Sequence, residues 1–150
     1  MSEEFAALMR EFGQMAGLEG LVPDEHGECV LAIDDFVVAL SCLEGETLLV
    51  YAAFGKLGGE GREALMARLL EGNYFYSGTG GATLGLSPLD GELQLLYRER
   101  LKGLGAMDLT RILENFLERL TYWSKAFTEG AKSPPPSTAP ATMPFGGIRG

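Results

Sequence analysis

Few residues in this chain have types and spacings that suggest chemistry. His26 is the sole histidine and stands three positions before Cys29, which is one half of a zinc-ligand spacing with no second half in view. Cys29 and Cys42 are the only cysteines; both lie in apolar, strand-like runs and are expected to be small buried hydrophobes. Gly78-Thr79-Gly80-Gly81 has the composition of a phosphate cradle, but such a cradle must run into a helix N-terminus, where free N–H groups face the anion. Here the loop follows a helical stretch and precedes a strand. It lacks a Gly-Lys-Ser/Thr ending, and Thr83 stands where a dinucleotide fingerprint needs its third glycine. The carboxylate pairs Asp34-Asp35 and Glu44 with Glu46 fall in turns, and His26 lies in a Pro-Asp-Glu-His-Gly turn, where a solvated residue is the plain reading. These residues support neither a phosphate site, nor a zinc site, nor hydrolase machinery.

The elements around these residues have clear periods. Phe5, Leu8, Met9 and Phe12 recur at helical spacing after Ser2, and Gly17 and Gly20 stop that helix. Beyond Pro23 the period changes to short β-branched and aromatic runs, 29–33, 36–40 and 48–54, separated by Asp34-Asp35 and Glu44-Gly45-Glu46. These predict an antiparallel three-strand meander. Strong helix formers from Arg62 to Glu71 predict a second helix. Residues 82–87 and 92–101, joined by Pro88-Leu89-Asp90-Gly91, predict a hairpin, and 107–127 predict a third helix. The fold class is α+β in the order α-β-β-β-α-β-β-α, an antiparallel twisted sheet flanked by helices.

One domain is expected over 1–130. The segment 131–150 holds five of the seven prolines and predicts a Pro-rich disordered tail. With Lys132 and Arg149 in that tail, the remaining ten basic residues face all 21 acidic ones. Such a balance repels nucleic acid, which is bound through clustered Lys and Arg. No apolar run approaches the ~20 residues that span a bilayer, and the start Met1-Ser2-Glu3-Glu4 is acidic where a leader would be basic, so no membrane insertion and a cytoplasmic location are expected.

The meander departs from a simple half-solvated sheet. One face would carry Cys29, Leu31, Ile33, Phe36, Val38, Leu40, Leu48, Val50 and Phe54, and the other Val30, Ala32, Val37, Ala39, Leu49, Tyr51 and Ala53. A sheet with one wet face alternates apolar and polar; this one is apolar on both. The surplus predicts an exposed binding surface.

The opening LMREFGQMAGLEGL, the strand CVLAIDD and above all ALMARLLEGNYFYSGTGGATLGLSPLDGEL resemble the class I type III secretion chaperones, the CesT-like or Tir chaperone family, over about residues 3 to 128. The resemblance implies a bacterial, acidic homodimer that is not an enzyme and has no cofactor. Such a chaperone holds the N-terminal segment of one or more secreted effectors extended and secretion-competent, with the secretion ATPase as a further partner. It also implies a dimer contact through the second helix, which maps onto Leu65, Met66, Leu69, Leu70, Asn73, Tyr74 and Phe75. For the effector-binding surface the expected residues are Phe5, Leu8, Met9 and Phe12 of the first helix with Val37, Ala39, Leu49 and Tyr51 of the sheet. The alternatives are a regulatory protein that sequesters another protein through the same surface, and a small-molecule-binding domain.

Overall fold

The computed structural model describes residues 2–129; the Pro-rich segment 131–150 lies outside them. The elements are α1 (Glu3–Ala16), β1 (Glu28–Ile33), β2 (Phe36–Leu43), β3 (Thr47–Lys56), α2 (Arg62–Asn73), a 3-10 turn (Tyr74–Tyr76), β4 (Thr83–Leu86), β5 (Glu92–Arg100) and α3 (Ala106–Glu129). The strands form one sheet in the order β1-β2-β3-β5-β4. This is the expected α-β-β-β-α-β-β-α order. No helix among the described residues is long and apolar enough to cross a membrane. Two compact units share the described residues, one of residues 2–53 with Leu96–Leu117 and one of Phe54–Leu95 with residues 118–129.

In the first unit, α1 starts where the Ser2 hydroxyl accepts a hydrogen bond from the Phe5 N–H at 3.1 Å, with Glu3 and Glu4 in the first turn, where negative charge complements the helix dipole. It ends at Gly17, whose left-handed backbone no β-carbon opposes. The face Phe5, Leu8, Met9 and Phe12 is buried. Strands β1 and β2 close directly through Asp34-Asp35, pairing Ile33 with Phe36, and β2 returns to β3 through Glu44, Gly45 and Glu46, pairing Leu43 with Thr47. The resulting register sets Val30, Ala39 and Tyr51 side by side. Cys29, Leu31, Val38, Leu40, Leu48 and Val50 are buried. The alternate residues are not: Val30 is 52% and Val37 64% exposed, and Leu49, Tyr51 and Ala53 are half-buried.

The second unit is built around Trp123, which is fully buried. A β-carbon at Gly72 would lie 2.5 Å from the indole, and one at Gly78 would lie 3.0 Å from the Gly72 Cα, so two glycines form the flat wall on which the ring rests. The indole N–H donates to the Gly78 carbonyl at 2.9 Å, and the Gly78 N–H donates to the Gly72 carbonyl at 2.9 Å. The glycines of the loop thus serve close packing, and Gly80 and Gly81 supply positive φ angles of 62° and 102°. A second close approach lies nearby, where a β-carbon at Gly55 would meet the Phe127 ring at 2.6 Å.

At the end of α2 Gly72 is a packing residue, and Phe75 and Tyr76 hold positive φ of 52° and 58°, a conformation that costs bulky residues about 1 kcal/mol or more each.

Candidate functional site

The open sheet face of the first unit consists of Val30, Ala32, Val37, Leu49, Tyr51 and Ala53, with Ala39 beneath its neighbours. It is apolar along three strands, and a single carboxylate stands at its end. Glu28, the first residue of β1, pairs with Ser41, and its Oε2 accepts a hydrogen bond from the Tyr51 hydroxyl across the intervening strand. Burial first, and then the Glu28 carboxylate that the hydroxyl bonds, push the Tyr51 phenol up to about 12; it is therefore a donor throughout the physiological range.

Asp24 sets the end of this edge. Its Oδ1 accepts from the Glu28 N–H at 3.0 Å and from the His26 N–H at 2.8 Å, while its own N–H donates to the Glu28 carbonyl at 2.9 Å. These N–H donors, Glu28 first, hold the Asp24 carboxyl below its ordinary value. Because the Glu28 backbone groups point away from β2 toward Asp24, the two-residue period of a strand turns those of Val30 and Ala32 outward as well. Strand β1 is a terminal strand of the sheet, so Val30 and Ala32 offer a short edge for pairing.

The other terminal strand is treated differently. The Asn73 side chain meets Leu84 of β4 as a strand would: its Oδ1 accepts from the Leu84 N–H at 2.9 Å and its Nδ2 donates to the Leu84 carbonyl at 3.1 Å. Replacing Asn73 with Ala is expected to lower stability by about 1 to 3 kcal/mol through the two lost bonds, read as a lower urea midpoint. An unchanged midpoint would show that the amide does not hold β4.

The expected effector-binding residues divide by burial. Phe5, Leu8, Met9 and Phe12 are all buried, Val37 is exposed, Leu49 and Tyr51 are half-buried, and Ala39 is at the border of burial. The expected dimer residues divide too. Leu65 and Leu69 are buried, Met66 and Asn73 are half-buried, and Leu70, Tyr74 and Phe75 are exposed. Leu70 and Met66, with Leu57, Leu84, Leu86 and Leu93, line an apolar hollow of about 180 Å³. Arg68, buried on the same helix, donates to the Tyr122 hydroxyl and has its guanidinium 5.6 Å and 5.7 Å from the Tyr122 and Trp123 ring centres.

His26 is exposed and its Nε2 lies 3.9 Å from the Glu25 carboxylate, whereas Cys29 is buried and burial pushes its thiol up to about 11. The two do not share an environment. Among the described residues no group of three or more His, Cys, Asp or Glu is gathered in a way that would hold a metal ion.

Sequence reasoning set Val30 and Ala32 on the second apolar face without naming them, or Glu28, among the expected effector-binding residues. The available signal was Asp24, a turn-forming side chain four residues before the first strand position, which is where an Asx turn reaches back to the chain.

The sequence matches the family described as Tir chaperone protein (CesT) over residues 7–124. No curated protein sequence matches it. Among solved structures, a chain of the ExsC-ExsE complex superposes with a TM-score of 0.70 at 27% identity, covering 83% of this chain and 96% of that one. A chain of the HopA1-SchA chaperone-effector complex gives 0.68 at 26%, covering 82% and 94%. The complex of the Yersinia pestis type III secretion chaperone SycH with a fragment of YscM2 gives 0.63 at 22%, covering 79% and 98%, a likeness of fold alone.

Proposed function

This chain belongs to the Tir chaperone protein (CesT) family of type III secretion chaperones, and we propose that it binds the N-terminal segment of one or more secreted effectors in extended form on the open face of β1–β3. The observation that carries this reading is the apolar face itself, with Val30 and Val37 more than half exposed beside the free edge at Val30 and Ala32. An extended segment pairing with that edge takes affinity from backbone hydrogen bonds, which make little demand on sequence, and selectivity from the side chains that meet Val37, Ala39, Leu49 and Tyr51. The buried α1 residues Phe5, Leu8, Met9 and Phe12 support the unit from inside rather than touch the client.

Holding of this kind involves no catalysis and no cofactor, and the client orders only where it touches, so it stays unfolded elsewhere. The complex forms in the bacterial cytosol before export, with the secretion ATPase as the receiving partner. The active species is a homodimer joined through α2, with Leu70, Tyr74 and Phe75 as the exposed contacts and the hollow beside Met66 as their receptor.

Val37→Asp tests the client surface. A buried charge on that face is expected to weaken binding of an effector N-terminal segment about tenfold or more, with an unchanged melting midpoint because Val37 is exposed in the free protein. Unaltered affinity by calorimetry would remove the face from the site.

A further inference from the structure

Among the described residues, the open face of β1–β3 has one charged group in it, and no cation lies within ion-pair distance of that group. Glu28 lies half-buried at the head of the strip, in the row that continues through Ser41 and Leu49. The Tyr51 hydroxyl takes its Oε2. Among the described residues no Lys or Arg pairs with it. A carboxylate accepts about four hydrogen bonds, so one phenol donor orients it and leaves most of its capacity directed elsewhere. A half-buried carboxylate held by one phenol donor gains further when a cation completes it.

Resting on the reading that an extended client lies along β1, we propose that the client segment carries a Lys or Arg that seats on Glu28, with Tyr51 as the residue that positions the carboxylate. The spacing follows from the strand period. Side chains of an added strand on this face fall beside Ala32, Val30 and Glu28 at every second residue, so the client pattern is apolar, any, apolar, any, basic, in one chain direction or the other. Backbone pairing stops at Val30 because Asp24 already holds the Glu28 N–H and C=O. The basic residue therefore reaches Glu28 by side chain alone, which suits the long stems of Lys and Arg. The charge balance agrees, since the chain is an acidic molecule of net charge −9.

The test uses the full-length protein and short synthetic peptides in both chain orders. One peptide alternates Val and Ser and ends the pattern with Arg, a second replaces that Arg with citrulline, which has the same shape and no charge, and a third moves the Arg by one position. The Arg peptide is expected to bind about tenfold tighter than the citrulline peptide, and the shifted Arg is expected to lose that gain. Glu28→Gln is expected to equalise the Arg and citrulline peptides while both still bind, and Tyr51→Phe to narrow their difference. Glu60→Gln, which removes the same charge from an exposed loop residue, is expected to leave the difference intact. Equal binding of the Arg and citrulline peptides to the unmodified protein, or a difference that survives Glu28→Gln, overturns the inference and leaves the chaperone reading standing. Binding of neither peptide overturns both.

Discussion

Replacing Trp123 with Ala is expected to lower the melting midpoint by about 10 °C or more. Emptying a fully buried indole costs about 3 to 5 kcal/mol, and the Gly78 carbonyl that accepts its N–H is left buried and unsatisfied, which adds about 1 kcal/mol or more. For a chain of this size each kcal/mol is worth about 2 to 4 °C, and the total stability of such a domain is about 5 to 15 kcal/mol. The loss is therefore a large fraction of the whole. It is also directed, because Gly72 and Gly78 have no side chains with which to refill the space. Trp123→Phe, which retains part of the ring volume but not the donor, is expected to fall between the two. Circular dichroism melts of the three proteins check this, and a shift of only about 2 °C for the alanine variant would show that the glycine turn does not depend on the indole.

The second large effect concerns the proposed dimer. Leu69 and Leu70 are neighbours in α2, yet Leu69 is 8% exposed and Leu70 is 70% exposed. A charge at Leu69 enters the core of the unit and unfolds it, so loss of the dimer there says nothing about the seam. A charge at Leu70 leaves the protomer intact and lands in the middle of the proposed contact. Leu70→Asp is expected to convert the dimer to a folded monomer, with a dissociation constant raised about a hundredfold or more, seen as a halved mass in light scattering with an unchanged circular dichroism spectrum. A dimer of unaltered mass would move the seam away from α2.

Much of this fold was legible because the local signals agreed with one another. The helical period of Phe5, Leu8, Met9 and Phe12 matches the buried face of α1. The Asp34-Asp35 and Glu44-Gly45-Glu46 turns place the three strands in register, as observed in the pairing of Ile33 with Phe36 and Leu43 with Thr47. The second hairpin was less sharp: β4 is only Thr83–Leu86, shorter than its apolar run, because a strand length depends on its partner as well as its own residues.

The candidate site was legible as a surplus and not as a set of contacts. That both faces of the meander are apolar follows from alternation along each strand. Which face stays open depends on packing from distant elements. The Glu28–Tyr51 bond joins residues 23 positions apart, and the Asn73–Leu84 clasp is a side chain imitating a strand; neither leaves a period in the sequence. The distinction between Leu69 and Leu70 is of the same kind, since the run Leu69-Leu70 reads as uniformly apolar until the direction of each side chain is known.

The most direct test of the client surface is amide hydrogen exchange on the full-length protein, free and loaded with an effector N-terminal segment. The account predicts that the Val30 and Ala32 amides, which face away from β2, become strongly protected on loading. A saturated complex in which the Val30 and Ala32 amides exchange as fast as in the free protein would contradict it.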